Sequence, residues 1–200
     1  TGFIGKRLVN QLITSGKPVR TLLRPSKKSP QLPFGVSVEA AVCSLRDATG
    51  LQAAMRDVDI VFHLAGTERL SSRARLNDID VQGTETLMNA AVRAGVEKVF
   101  FLSHLGADKY SAYPLLRAKG LAEQLIIQSG IPCTIFRSAP VYGPGDQFTS
   151  SIAHLIRISP GIFLMPGNGD AVLQPLWVDD LISCLMIALD NPQINKQVYS

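Results

Sequence analysis

The sequence predicts an α/β fold, a doubly wound parallel sheet with helices on both faces, and three observations predict it. Short β-branched runs alternate along the chain with longer segments of helical apolar spacing, the pattern of βαβ units. The opening TGFIG runs directly into a helical segment and then a strand, the order in which a phosphate-binding turn meets its helix. At 200 residues and 46% hydrophobic content, the chain can fill one core.

The elements follow in order. Gly5 to Ser15 reads as a helix, because Ile4, Leu8, Leu12 and Ile13 recur at helical spacing before Gly16 stops it. PVRTLLR (Pro18 to Arg24) and VSVEAAV (Val36 to Val42) read as strands, separated by the loop RPSKKSPQLPFG. A short helix follows from Asp47 to Arg56, and VDIVFHLAG (Val58 to Gly66) is a buried strand closed by a glycine. A long helix from about Leu76 to Ala94 ends at Gly95, and KVFFLS (Lys98 to Ser103) is the next strand. Pro114 suits the first turn of a helix, where its missing N–H costs nothing, and that helix runs to Ser129 before Gly130. PCTIFR (Pro132 to Arg137) completes the regular alternation. Beyond it the loops YGPGDQF and PGNGDAV separate a helix near Ser150 to Ile158 from WVDDLISCLMIALDNP. The chain therefore divides into a dinucleotide-binding unit, 1–140, and a small, dependent cap region, 141–200. The final VYS reads as one more strand.

Composition narrows the function classes. A formal charge of +4 is spread along the chain apart from RPSKK, too diffuse for a nucleic-acid face. Cys43, Cys133 and Cys184 lie far apart in apolar runs, without metal-site pairing or the even count of a disulfide framework. No metal is expected, and a cytoplasmic or other reducing compartment is the default. No apolar run reaches membrane-spanning length. The first residue falls inside the glycine turn, so the N-terminus reads as clipped and a targeting segment cannot be judged.

The opening turn carries the first chemistry. Glycines let a backbone approach a pyrophosphate, and a helix N-terminus adds N–H donors and dipole. Gly2 and Gly5 have the spacing of the last two glycines of GxxGxxG, which makes Thr1, Gly2, Phe3, Ile4 and Gly5 the candidate cradle of a Rossmann dinucleotide site. The first glycine and the strand leading into it would precede Thr1, so the central strand of the sheet is expected to be missing from this sequence. About twenty residues on, where a carboxylate would bind a ribose 2′-hydroxyl, the chain has Arg24, followed by Lys27 and Lys28. A guanidinium pairs with a 2′-phosphate, which favours NADP(H) over NAD(H); the alternative is a solvated basic loop.

TGFIG, VFHLAG, DVQGTETLMNAA, FFLS, RSAPVYGPGD and QPLWVDDLI occur in an order that resembles the extended and atypical short-chain dehydrogenase/reductase superfamily, which includes NAD-dependent epimerases and dehydratases, over essentially the whole chain. FLSHLGAD, followed by a YxxxK-like region without the tyrosine, is most similar to the NADPH-binding accessory subunit of respiratory complex I and its bacterial relatives. The resemblance implies that Ala65 and Gly66 pass beneath the adenosine ribose, and that Ser138, Ala139 and Pro140 flank the nicotinamide. It also places Ser44 where the family has an adenine-contacting aspartate, so that contact is weakened or made by backbone.

The same resemblance implies a catalytic set of Tyr-x-x-x-Lys and a serine, in which the tyrosine passes a proton, the lysine lowers its pKa and holds the nicotinamide ribose, and the serine orients a carbonyl. Lys119 and Ser103 match. The position four before Lys119 is Leu115, which transfers no proton. Tyr113, six before the lysine, either replaces the missing phenol or is a packing or surface aromatic. His104 is either a proton donor or hydrogen-bonded structure, and His63 reads as a buried strand residue. Asp179 or Asp180 reads as a cap of the helix that follows it.

These readings lead to an NADP(H)-binding protein with a degenerate catalytic tyrosine, whose nucleotide is structural or sensory. Two alternatives stand beside it. One is an active oxidoreductase, epimerase or dehydratase acting on a nucleotide sugar or other carbonyl compound. The other is an assembly or regulatory factor that binds a protein partner through the C-terminal cap.

Overall fold

The computed structural model describes residues 2–25, 38–67, 72–159, 161, 168, 170, 172–191, 193–194 and 197–200. Thr1 and Lys27, two of the expected cofactor residues, lie outside them, as do Lys28 and the start of the strand expected at Val36.

The glycine turn feeds α1 (Phe3–Thr14), which buries Leu8, Val9 and Leu12 at helical spacing. Strand β1 (Arg20–Leu23) pairs in parallel with β2 (Glu39–Val42). Helix α2 (Ala48–Ala54) starts where Asp47 accepts a 2.9 Å hydrogen bond from the Gly50 amide. After β3 (Ile60–His63) comes a composite helix made of α3 (Arg73–Leu76), a π-helical stretch (Asn77–Gln82) and α4 (Gly83–Ala94). The sequence pattern predicted this helix but not its π-helical turn. Gly95 closes it in the left-handed region at φ 74°, a conformation open to glycine at no steric cost. Strand β4 (Lys98–His104), helix α5 (Pro114–Gln128) and strand β5 (Cys133–Ser138) follow as one βαβ unit, with Pro114 in the first turn as expected. The short β6 (Val141–Tyr142) pairs in parallel with β7 (Leu176–Trp177), with α6 (Gln147–Ile158) between them in the chain. Helix α7 (Val178–Asp190) and strand β8 (Gln197–Tyr199) end the fold.

The main sheet has the order β3-β4-β5-β8, all parallel. Strand β4 is its best buried element. Alternate side chains of a strand point to opposite faces, and consecutive residues of β4 accordingly enter two cores. Phe101 and Val99 pack with Leu51, Leu87, Met88, Ala91 and Ile126 from α2, α4 and α5. Phe100 packs on the other face with Leu8, Leu12, Leu181 and Leu185 from α1 and α7. Both phenylalanines are at most 1% exposed, and burial of such a side chain contributes about 1.5–3 kcal/mol. Helices thus cover both faces of a parallel sheet, as the alternating pattern predicts.

Of the region from 141 on, α7 lies against α1 and β8 joins the main sheet beside β5. Lys98 ties the two together. Its ammonium donates to the carbonyls of Ala188 at 3.1 Å and Ile194 at 3.3 Å and lies 4.5 Å from the Phe100 ring centre. Helix α6 has no buried residue. It is anchored at its start, where the buried Asp146 accepts from the amides of Gly143 and Thr149 and from the Thr149 hydroxyl.

Candidate functional site

In a parallel sheet every strand ends on the same edge, and ligands bind in the crevice beyond those ends. At that edge of the main sheet Ala65 and Gly66 are exposed after β3, and Ser138 lies opposite His104 in the register of β4 and β5. Arg24 is exposed directly after β1, in the separate β1–β2 pair. Ser138, Ala139 and Pro140 are half-buried, and the Pro140 carbonyl accepts from the Leu176 amide to begin the β6–β7 pair.

Gly2 is the N-cap residue of α1, with no side chain capping the helix and no acidic residue in its first turn. The first amides of a helix have no intrahelical acceptor. Those of α1 therefore face a position that no carboxylate of the first turn occupies, and this suits a phosphate. Phe3 marks how close the cap comes to this cradle. A Cβ built on Gly143 would lie 3.3 Å from the Phe3 ring and 2.7 Å from Val178, so the turn before α6 is pressed against the first turn of α1.

Around Lys119 the structure assembles a group that the sequence did not announce. Its ammonium lies 3.0 Å from Asp80 Oδ1, in an ion pair without the direction of a hydrogen bond. It also sits 5.1 Å from the centre of the Phe101 ring. Asp80 belongs to the π-helical stretch and is 1% exposed. Its other oxygen accepts from the Thr67 amide at 3.1 Å and the Thr67 hydroxyl at 2.6 Å. Gly66 lies directly on the pair: a Cβ there would stand 2.7 Å from Lys119 Nζ and 3.0 Å from Asp80 Oδ1. A Cβ there would displace the lysine end, so the bare Cα leaves an exposed, flat backbone segment beside the pair.

His63 closes the group from behind. The Thr84 hydroxyl donates to the Asp80 carbonyl at 2.7 Å and so accepts from His63 Nε2 at 2.9 Å, which fixes the ring as the Nε2–H tautomer. Burial and the nearby Lys119 charge push the His63 pKa down to about 3, against a smaller upward pull from Asp80. It is a neutral structural residue, as its strand position implied.

Ser103 faces elsewhere. Its hydroxyl donates to Glu123 Oε1, and Glu123 also holds Arg137 through contacts of 3.0 and 2.6 Å. Glu123 is one helical turn beyond Lys119, so α5 presents two charged groups to the same side of β4. Beside this network a cleft of about 750 Å³ opens between α5 and the segment 106–109. Tyr113 is the N-cap residue of α5 and is 71% exposed. Leu115 is half-buried, and His104 bonds through Nδ1 to the Leu105 carbonyl. The Ser44 hydroxyl accepts from the Arg46 amide in its own turn.

Sequence reasoning missed Asp80, Glu123 and Arg137. Their spacing held a signal: Asp80 precedes Thr84 by four, and Glu123 follows Lys119 by four, both one helical turn. Among the described residues no cluster of His, Cys, Asp and Glu is able to hold a metal ion, and no helix is long and apolar enough to cross a membrane.

Comparison with known proteins agrees with this geometry. A family model described as NAD(P)H-binding matches residues 1–146. The chain is 28% identical over 194 residues to NADH dehydrogenase (ubiquinone) 1 alpha subcomplex subunit 9, mitochondrial, of Arabidopsis thaliana, covering 94% of this chain and 48% of that protein. It is 30% identical over 138 residues to the photosystem II assembly factor Ycf39 of Cyanophora paradoxa, covering 68% of this chain and 42% of the relative. The chain thus spans about half the length of the curated relatives it matches. Among solved structures, the UDP-glucose 4-epimerase of Thermus thermophilus in complex with NAD superimposes with a TM-score of 0.79 at 22% identity, over 95% of this chain and 72% of that one. That likeness is one of fold. The parallel sheet, the glycine-led helix and the matched sequence together place this chain in the NAD(P)H-binding family, with a Rossmann fold of the short-chain dehydrogenase/reductase kind.

Proposed function

We propose that the protein binds NADP(H) and that the nucleotide acts chiefly as a structural or sensory ligand. The observation that carries this reading is the surroundings of Lys119. The lysine is held in the site by Asp80, while the position one turn before it on the same helical face is Leu115, a side chain without a proton to give. In a hydride-transfer reaction a nucleotide bound here would supply or accept the hydride. The chain's own residues hold the pyrophosphate with Gly2, Phe3, Ile4 and Gly5, the ribose with Lys119 over Gly66, and the 2′-phosphate with Arg24. Ser103, tied to Glu123, contributes to the sheet–helix contact and not to a carbonyl substrate.

A second reading has an observation of its own. Ile152, Leu155, Ile156 and Ile158 of α6 are each 40–60% exposed, which suits a protein partner bound through the cap. Relatives named as a respiratory subunit and an assembly factor support the same view. An active oxidoreductase, epimerase or dehydratase is the remaining alternative, and its proton donor would be Tyr113.

The test is to denature the natural full-length protein, identify the nucleotide released, and then assay hydride transfer with carbonyl and nucleotide-sugar substrates. NADP(H) and no turnover are expected, with Leu115→Tyr gaining activity because it restores a phenol one turn from Lys119; proton transfer of this kind is worth about 10² to 10⁴ in rate. Ordinary turnover by the natural protein, abolished by Tyr113→Phe, would transfer the role to Tyr113 and establish an enzyme.

A further inference from the structure

We propose that Asp80 is a positioning residue of the nucleotide site, a carboxylate strut that joins the segment after β3 to Lys119 and sets where the lysine meets the ribose. The inference rests on the reading that Lys119 holds the nicotinamide ribose. Asp80 is 1% exposed and receives donors from two directions. The Thr67 amide and hydroxyl point at Oδ2, and the Lys119 ammonium lies against Oδ1. Oδ2 therefore accepts from Thr67, while Oδ1 meets the ammonium as an ion pair without a hydrogen bond, and both oxygens face a donor or a cation. Only a carboxylate meets that demand, since asparagine has one acceptor and would turn its NH₂ toward a donor on one side or the other.

The position of Asp80 matters as much as its charge. Thr67 follows Gly66 directly, and a Cβ on Gly66 would touch both members of the ion pair. One side chain thus fixes the distance between a backbone segment and a lysine that belong to different βαβ units. The Asp80 main chain is held in turn by the Thr84 hydroxyl, which His63 supports. A lysine side chain has four rotatable bonds, and burial against Phe101 alone does not choose among its rotamers. The anchored carboxylate does, leaving the remaining ammonium hydrogens for ribose hydroxyls.

Binding of ADP-ribose and of ADP to the full-length protein tests this. The two share the adenosine and one diphosphate, and only ADP-ribose carries the second ribose. Asp80→Asn is expected to weaken ADP-ribose on the order of tenfold, the weight of one charge-assisted hydrogen bond, and to leave ADP within about twofold. In a Lys119→Ala background the same change should have no further effect, because two residues acting as one unit do not add. Thr67→Val loosens the strut without unpairing a buried charge and should weaken ADP-ribose by a smaller factor, again sparing ADP. Equal losses for both ligands, full ADP-ribose affinity in both variants, or an undiminished effect of Asp80→Asn beside Lys119→Ala would each overturn the proposal. If Lys119→Ala leaves ADP-ribose binding intact, the ribose role of the lysine fails instead, and the strut with it.

Discussion

Ser103 donates its hydroxyl proton to Glu123 Oε1 at 2.5 Å, and both residues are at most 4% exposed. This bond turns toward the packed interior a hydroxyl that the family resemblance assigns to substrate. The same carboxylate forks onto Arg137, so one glutamate joins α5 to the ends of both β4 and β5. Glu123→Ala leaves two donors unpaired, one of them a guanidinium whose side chain is 32% exposed and partly rescued by water. A loss of about 2–3 kcal/mol is expected, below the usual cost of breaking a fully buried pair. Denaturant unfolding of the two proteins measures it; an unchanged midpoint would show the fork to be idle.

Two glycines on the same side of the sheet should respond differently to alanine. At Gly66 the new methyl meets the mobile end of Lys119, so the lysine shifts, nucleotide affinity drops and stability changes by less than about 1 kcal/mol. At Gly120 the methyl collides with the backbone of Asp108 and Lys109, which cannot step aside, and overpacking of that kind costs about 1–3 kcal/mol. Melting curves and nucleotide titrations of both variants should show opposite weightings of the two losses. Matching profiles would contradict the contacts described.

Acid stability should carry the mark of His63. Its pKa in the fold is about 3, against 6.5 for an ordinary histidine. The unfolded chain takes up the proton more readily, so this contribution is complete above about pH 6.5 and is lost as pH falls toward 3, at up to about 1.4 kcal/mol per unit. His63→Gln removes the titration and should flatten the decline between pH 6.5 and 4.5 in urea midpoints. Asp146 acts lower on the scale: burial pushes its carboxyl up, but hydrogen bonds from Thr149, Gly143 and Phe148 outweigh that and hold it below the usual range. Its contribution disappears only as pH drops past 3.8. Parallel declines in the parent and in His63→Gln would remove His63 from this account.

Arg24 is expected to set the choice of nucleotide. It stands exposed just past the end of β1, where a 2′-phosphate would give its guanidinium a charged acceptor. Arg24→Ala should narrow the preference for NADPH over NADH by about 1–3 kcal/mol. Equal affinity for the two dinucleotides in the unaltered protein would end this reading.

The parts of the fold visible in sequence are those governed by one segment at a time. The cap at Asp47, the proline at the start of α5, the left-handed stop at Gly95 and the alternation of apolar periods are each written in a few adjacent residues. Lys119 was picked out by the family resemblance, from its place in the YxxxK-like segment. Asp80, Glu123 and Arg137 were not, because their roles arise where separate segments face each other. Asp80 is aimed at Lys119 by a π-helical turn that no local pattern marks, and Glu123 meets Ser103 and Arg137 only after α5 has docked on two strands. Helix α7 shows the converse. It was read from sequence as part of the cap region, but its partner, α1, is decided by which face of the sheet the crossover takes.

The π-helical stretch that carries Asp80 has a consequence for chain length. A π turn holds roughly one residue more than an α turn, so it amounts to a one-residue insertion absorbed inside a helix. A relative one residue shorter between Leu76 and Gly83 would close the stretch as ordinary α-helix and still keep Leu76 at one end and Leu87 at the other in their cores. The core would register no deletion at all. What such a chain would lose is the local bulge that aims Asp80 at Lys119, and in an alignment the difference would look like nothing more than a single gap in a well-matched helix.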